Sequence, residues 1–154
     1  MDFVRPATIQ DARDLAPRLR PADVQEIWAA TGDSPEEALI MGVKLGRPAL
    51  SFVDPRGELA GMFGVTPLSD PLVGAVWMLS SPAIERYPVH FLRRCRGWIE
   101  QFHDTYPVLM NYVDARNVVH IRWLKWVGFQ FLRLIPYGVQ RLPFYEIVRV
   151  RVMS

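Results

Sequence analysis

The strongest constraint on the fold lies in the segment of residues 108–129. The apolar run over residues 108–113 predicts a buried strand, and apolar side chains recur at helical spacing over residues 118–127. Asn117 is a residue type favoured at the start of a helix, and Gly128 is one favoured directly after its end. The segment therefore predicts a strand, a turn and a short helix, followed by a return toward the sheet.

Further strands and helices are predicted on both sides of this segment. Thr8 with Asp11, and Ser34 with Glu37, have the spacing of capping boxes, so each pair predicts the start of a helix. The remaining strands are expected at residues 3–6, 48–54, 58–65, 75–79, 129–135 and 144–152, and the remaining helices after residue 21 and over residues 91–103. The predicted order is one strand, three helices, three strands, a helix, a strand, a helix and two strands.

Composition narrows the class of protein. The chain has 154 residues and a formal net charge of +2, and half of its residues are apolar, which predicts one compact domain over residues 1–154. The single Cys95 excludes an internal disulfide, and the three His residues lack metal-ligand spacing, so no metal is expected. The chain begins without a leader pattern, and no run approaches the roughly 20 apolar residues of a membrane span. A cytoplasmic protein without membrane contact is predicted.

The order of elements resembles that of the Gcn5-related N-acetyltransferases (GNAT), over nearly the whole chain. Two stretches carry the resemblance, Val-Arg-Pro-Ala-Thr-x-x-Asp-Ala at residues 4–12 and the Asn-led helix that ends in Gly128-Phe129. The resemblance implies an α/β fold: a mixed sheet of six or seven strands with helices on both faces. It also implies that the strands at residues 75–79 and 108–113 splay apart and admit an extended ligand.

A narrower resemblance is carried by residues 111–117, 120–126 and 143–146. These segments are similar to small acetyltransferase-like proteins of podovirus-type tailed bacteriophages, some of which are internal virion or assembly proteins. This resemblance implies a phage or host protein as partner. It also places the protein in the host cytoplasm or the virion.

The wider resemblance implies acetyl-CoA as the cofactor. In the enzymes a Gly-rich turn after the fourth strand lets backbone amides approach the pyrophosphate, whereas residues 80–90 here contain no Gly. The cofactor-binding residues expected from the resemblance are Met78, Leu79, Ser80, Arg86 and Asn117.

Catalytic groups are less well defined. The resemblance places the usual Tyr general acid at Leu124, which transfers no proton. Tyr112 and Glu85 are the candidates for proton handling, and Tyr87 is a further one. The acceptor implied by the resemblance is an amine on a small molecule or a protein.

Several conspicuous side chains are more simply explained by structure than by function. Asn117 is expected to cap its helix whether or not it also touches the cofactor, and His120 is expected to pack. Trp123 and Trp126 are typical of core or subunit contacts, so a homo-oligomer is a further expectation. The Arg cluster at residues 93–96 is expected to be a solvated face, because no nucleic-acid motif accompanies it.

Two functions therefore remain open from the sequence. The first is an acyl-CoA-dependent N-acetyltransferase of unknown amine substrate with a degenerate pyrophosphate loop. The second is a catalytically silent phage protein that uses the same scaffold for virion assembly or host-protein binding. The Gly-free turn and Leu124 favour the second.

Overall fold

A computed structural model describes residues 3–152 as a layered α/β structure. The strands are β1 (Val4–Pro6), β2 (Ala49–Val53), β3 (Leu59–Pro67), β4 (Val73–Ser80), β5 (Val108–Asp114), β6 (Gln130–Tyr137) and β7 (Leu142–Val150). The α-helices are α1 (Ile9–Leu15), α2 (Pro21–Ala30), α3 (Pro35–Leu45), α4 (Pro88–Thr105) and α5 (Val118–Trp126). Short 3₁₀ turns at Ala16–Arg18 and Pro82–Arg86 complete the secondary structure of the described residues.

The seven described strands form one mixed sheet in the order β1-β2-β3-β4-β5-β7-β6. Neighbouring strands are antiparallel throughout, except for β4 and β5, which run parallel. A parallel pair needs a crossover connection, and α4 supplies it. The predicted mixed α/β sheet with helices on both faces is confirmed.

Each face of the sheet carries its own core. One core includes Leu15, Ile27 and Leu39 from the first three helices, packed against Met62 and Leu79 of the sheet. The other contains the apolar sides of α4 and α5, packed against the opposite face. The strand β4 sends alternate side chains to each core, with Val76 in one and Leu79 in the other.

The helix starts follow the predicted capping chemistry. Thr8 and Ser34 each accept a hydrogen bond from the backbone of the third helical residue, and Asp11 and Glu37 complete the two capping boxes. The α4 helix begins at Pro88, earlier than the predicted residue 91, because Pro is favoured in the first turn of a helix. Within residues 3–152, no helix combines the length and apolar character needed to cross a bilayer.

Candidate functional site: the gap between β4 and β5

The central feature of the sheet is a gap between its two parallel strands. The strands β4 and β5 pair only where residues 73–75 face residues 108–110. Beyond that point the Asn111 side chain bridges them, donating a hydrogen bond to the Val76 carbonyl. The splay predicted from the resemblance is therefore present, and the gap widens toward Ser80.

The register of β3 and β4 fixes which backbone groups face this gap. Ser81 donates its N–H to Ala60 on β3, whereas the backbone N–H and C=O of Ser80 both bond to residues of the opening helical segment. Since backbone groups alternate in direction along an antiparallel strand, Val76, Met78 and Ser80 point into the gap. Leu79 directs its backbone toward β3 and contributes its side chain to the core under α1–α3.

The wide end of the gap is crossed by a buried polar network. The carboxylate of Asp23 on α2 accepts hydrogen bonds from the Ser80 N–H at 3.0 Å and from Asn117 Nδ2 at 2.9 Å. Arg20 donates to Asp23 at 3.1 Å and to Asn117 Oδ1 at 3.1 Å, and its guanidinium lies 5.8 Å from the Trp123 ring centroid. One carboxylate thus connects the end of β4 to Asn117 in the turn between β5 and α5.

This network corrects the sequence interpretation of Asn117. Asn117 is the N-cap residue directly before α5, but its side chain makes no capping hydrogen bond. The side chain is fully buried, and both of its polar atoms are engaged by Arg20 and Asp23. Tertiary hydrogen bonding has displaced the local capping preference because the buried charges of Arg20 and Asp23 require partners.

A cavity of about 340 Å³ lies along the narrower part of the gap and reaches both faces of the sheet. Its walls are largely apolar, with Phe63, Trp77, Phe102, Trp123 and Phe144 among the aromatic side chains. Its exposed rim includes Thr31, Met41 and Leu45 at the α2–α3 edge. The dimensions are those of a small-molecule site.

Two glycines allow Trp77 to lie flat in the wall of this cavity. A Cβ on Gly42 would stand 2.8 Å from Trp77 Cη2, and one on Gly64 would stand 3.1 Å from Cζ2, so neither position accommodates a side chain without movement. The indole Nε1–H is buried and lacks a hydrogen-bond partner in the structure. The indole N–H is therefore a buried donor that no acceptor satisfies.

Glu26 and His120 form the polar part of the cavity lining. Glu26 Oε1 accepts the Asp114 N–H at 2.7 Å, while Oε2 lies 3.8 Å from His120 Nδ1, too far for a hydrogen bond. Burial, with help from the nearby Asp23 and Asp114 carboxylates, raises the pKa of Glu26 to about 8. Burial lowers the pKa of His120, so its neutral form is favoured.

Asp23, Glu26 and His120 also bring three potential metal ligands within 4.8 Å of one another. The oxygens of Asp23, however, already accept hydrogen bonds from Arg20, Asn117 and Ser80. A metal ion there would have to displace these donors and stand beside a guanidinium cation. The donor set is therefore poorly suited to a metal.

Tyr112, predicted to handle protons, lines the cavity on β5. Its hydroxyl lies 3.4 Å from Glu146 Oε2, and its ring stacks on Tyr137 with centroids 4.1 Å apart. Arg133 also donates to Glu146 Oε2 at 3.0 Å. Tyr112 thus belongs to the cavity wall, with its hydroxyl directed at an ion-paired carboxylate.

The structure places the predicted residues Glu85 and Arg86 outside the cavity. Both lie in the 3₁₀ turn after β4, where Arg86 donates to Glu58 at 3.0 Å and Glu85 lies 3.6 Å from Arg20. Tyr87 is the N-cap residue directly before α4 and makes no side-chain capping bond. Arg86 and Tyr87 border a surface depression that is separate from the wall that holds Tyr112.

The remaining predicted positions are apolar in character. Leu124 lines the cavity, so the position that the resemblance assigns to a general acid carries an aliphatic side chain. Met78 lines it as well. Cys95 also faces the cavity, and burial raises the pKa of its thiol to about 12, which disfavours the nucleophilic thiolate.

Sequence reasoning missed Arg20, Asp23 and Glu26. Pro21 and Asp23 fit the ordinary pattern of a helix start, Pro in the first turn with an acidic residue beside the helix dipole. Only the sheet brings α2 against residue 117, across 94 positions of chain. No local signal distinguishes these residues from solvated ones.

The comparisons with known proteins identify the fold. A phosphinothricin acetyltransferase of the GNAT superfamily from Sinorhizobium meliloti, solved in complex with AcCoA, superposes with a TM-score of 0.71 at 16% identity, covering 96% of this chain and 87% of that one. A ribosomal-protein-alanine N-acetyltransferase from Brucella melitensis has a TM-score of 0.71 at 17% identity, covering 97% and 99%. The chain therefore has the GNAT acetyltransferase fold.

A family model gives a more local match. Residues 72–133 match the family described as Bacteriophage T7, probable scaffold protein Gp13. The matched range contains β4, α4, β5 and α5, the elements that enclose the gap. No curated protein matches the chain.

Proposed function

We propose that this protein is a catalytically silent member of the GNAT fold that acts as a phage assembly protein. The observation that carries the proposal is the buried Arg20–Asp23–Asn117–Ser80 network across the wide end of the gap. In an acetyltransferase of this fold the gap must admit the cofactor. Here the chain's own side chains hold its two sides together.

The residues at the end of β4 do not fit the anionic part of acetyl-CoA. The Ser80 N–H already donates to Asp23, and Pro82 and Pro88 offer no N–H at all. The Arg86 guanidinium is paired with Glu58, and Glu85 adds a negative charge nearby. A pyrophosphate would therefore meet engaged donors and carboxylates where it needs free amides.

Acid–base chemistry is also poorly supported around the gap. Leu124 provides no proton, and the Tyr112 hydroxyl faces the Glu146 carboxylate, which Arg133 neutralises. An N-acetyltransferase would need a donor for the departing thiolate or a fully exposed leaving group. The arrangement supports a protein that keeps the fold as a scaffold for contact with other proteins and not for catalysis.

The phage assignment rests on the match of residues 72–133 to the T7 scaffold-protein family. This range covers the two strands of the gap and the helices beside them, so the similarity falls on the part of the fold that encloses the gap. An assembly role needs a surface and a stable core, and does not need a cofactor. Virion proteins of the phage, or host proteins that they meet, are the partners that this proposal implies.

An N-acetyltransferase acting on an amine remains a second candidate because of one observation. The N-terminus of the 18-residue helix α4 has no side-chain cap and lies beside Arg86, His90 and Arg93, a setting that attracts phosphate. For this function the Asp23 network would have to open, and Glu26 in the cavity lining would be a carboxylate available to take the proton from the amine.

The first test is a calorimetric titration with acetyl-CoA. We expect no binding heat and no rise in melting temperature at millimolar acetyl-CoA, because the Asp23 network closes the wide end of the gap and engages its donors. An active GNAT acetyltransferase measured under identical conditions is the control. A dissociation constant in the micromolar range, with acetyl transfer to any amine in a screen, would establish the second candidate.

The second test concerns assembly. A tagged copy expressed during infection by the phage that encodes the chain should co-purify with procapsids or virions, and mass spectrometry should identify virion proteins as partners. A tagged cytoplasmic protein of similar size serves as the control for non-specific enclosure of proteins in the particles. If particles lack the protein and it retrieves no virion or host protein above that control, the assembly role is rejected.

A further inference from the structure

The charges of the chain are divided unequally between its two halves. Residues 1–80, which end with β4, contain seven Lys or Arg residues against eleven Asp or Glu residues, a formal charge of −4. Residues 81–154 contain eleven Lys or Arg residues against five Asp or Glu residues, a formal charge of +6. The small net charge of the whole chain therefore conceals a strongly basic half, which supplies α4, β5, α5, β6 and β7.

Five cations of this half gather around α4 and the end of α5, and we call them the basic surface. They are Arg96, Arg122, Lys125, Arg149 and Arg151. The first three are exposed and the last two are half-buried. Arg96 joins the two helices, because its guanidinium on α4 lies 4.0 Å from the centroid of the Trp126 ring on α5.

Backbone carbonyls hold three of these guanidinium groups in place. Arg96 donates to the Trp126 carbonyl at 2.7 Å, and Arg149 donates through Nε to the Val127 carbonyl at 2.9 Å. Arg151 donates to a carbonyl of α4 at 2.8 Å. A guanidinium has five N–H donors, so each group is fixed by one of them and keeps the others for an anion. Such fixed donors suit the oxygens of a phosphate or a carboxylate.

The basic surface lacks counter-charges of its own. Within residues 3–152, none of its five cations lies at ion-pair distance from a carboxylate, whereas Arg5 and Arg18 of the acidic half are both paired. Burial lowers the pKa of Arg149; Glu100 opposes this effect, and the nearby guanidinium of Arg96 adds to it. Cations this close repel one another, and a bound anion would relieve the repulsion.

This surface is separate from the wide end of the gap. Residues 73–75 pair with residues 108–110 at the closed end, where β7 places Arg149 opposite Leu109. The N–H of Arg151 donates to the Pro107 carbonyl at the same end. Ser80 and the turn that follows it lie at the other end of β4. An anion on the basic surface would therefore not occupy the position of a cofactor pyrophosphate.

The surroundings favour nucleic acid over an acidic protein as the source of the anion. Among their described residues, α4 and α5 expose only three large apolar side chains, Val89, Val118 and Trp126. A protein interface normally has an apolar centre within a polar rim, and these residues do not supply one. Contact with a nucleic-acid backbone depends on cations and needs no such centre.

We propose that the basic surface binds the phosphodiester backbone of nucleic acid without regard to base sequence. The absence of a nucleic-acid motif bears on the recognition of bases and not on contact with the backbone, which carries no sequence information. Binding requires neither an assembly role nor acetyl transfer. The inference therefore goes beyond the proposed function and does not depend on it.

The experiment measures the fluorescence anisotropy of a labelled DNA duplex of about 20 base pairs as salt rises from about 50 to 200 mM. We expect log K to fall against log salt with a slope of about −4, because four or five phosphates are contacted. Two duplexes of unrelated sequence should bind equally. Polyglutamate of matched charge represents an acidic protein, and it should compete less well than unlabelled duplex.

The test variant is Arg122→Gln combined with Lys125→Gln. Both side chains are exposed and lie on the outer side of α5, so the melting temperature should change little. The variant should reduce the salt slope by about two and the affinity at about 50 mM salt by at least tenfold. Arg122→Lys keeps the charge and should keep the slope of the unaltered protein.

The matched control is Arg13→Gln combined with Arg56→Gln, which removes an equal charge from exposed positions in the acidic half. It should change the affinity by less than about twofold. The inference is overturned if the duplex does not bind at about 50 mM salt, or if the control weakens binding as much as the test variant does. It is also overturned if polyglutamate displaces the duplex as well as DNA does, since the surface then fits an acidic protein. The acetyl-CoA titration and the particle purification are separate, so failure of either idea can be recognised without the other.

Discussion

Replacing Asp23 with alanine is expected to lower the free energy of unfolding by about 3–5 kcal/mol. The carboxylate is 1% exposed and accepts hydrogen bonds from Arg20, Asn117 and the Ser80 backbone. Its removal leaves a buried guanidinium whose remaining acidic neighbour, Glu85, stands 3.6 Å away on an exposed turn. Urea denaturation followed by Trp fluorescence measures the loss.

The control is Glu58→Ala, which also removes a carboxylate shared by two Arg residues, Arg18 and Arg86. Those contacts are largely exposed, so the expected loss is below about 1 kcal/mol. If Asp23→Ala does not fold, Asn117→Ala tests the same network while leaving the Arg20–Asp23 pair, with an expected loss of about 1–3 kcal/mol. Losses below 1 kcal/mol in both buried variants would mean that the network does not hold the gap closed.

The unaltered protein is expected to lose stability as the pH rises toward 8, and Glu26→Gln is expected to abolish most of this loss. Burial raises the pKa of Glu26 in the folded state to about 8, against an ordinary value of 4.5. The folded state therefore keeps a proton that the unfolded state has released. The contribution of Glu26 to the free energy of unfolding is lost as the pH rises from 4.5 through 8. The whole effect is on the order of 5 kcal/mol, of which about 2 kcal/mol falls between pH 6.5 and 8.5.

The useful range for this measurement is pH 6.5 to 8.5. Burial lowers the pKa values of His103 and His120, so their contributions to stability are lost only as pH falls below the ordinary histidine value of 6.5. Urea midpoints across the range should fall for the unaltered protein and for the exposed control Glu36→Gln. They should stay nearly level for Glu26→Gln, and an identical slope in all three would rule out a buried neutral Glu26.

The fold was accessible from sequence because its signals are local. Each signal specifies one element: the capping boxes at Thr8 and Ser34 start two helices, the apolar periodicity marks α4, and Gly128 ends α5. Together these signals give the order of elements. Even the gap followed from the resemblance carried by residues 117–129. The errors at strand and helix ends are a few residues, as expected where Pro and loop geometry decide the boundary.

The site was much less predictable. Tyr112 and Leu124 do line the cavity, but Asn117 proved to belong to a network whose other members lie more than 30 positions away in the chain. Glu26 looks like any acidic residue on an amphipathic helix, and only its burial against β5 makes it unusual. Long-range pairing of charges leaves no periodic trace in a single sequence, so spacing alone cannot reveal it.

Within residues 3–152, the single parallel boundary divides the sheet into two antiparallel blocks, β1–β4 and β5–β7. Only three residue pairs join them, against seven pairs at each of the boundaries β3–β4 and β5–β7. A partial unfolding event that parts the blocks therefore breaks less of the backbone ladder than one within either block. Backbone amides at the β4–β5 boundary should exchange with solvent sooner than their burial suggests. The Asp23 network, which links β4 to the turn after β5, therefore stabilises the contact between two cooperative folding units.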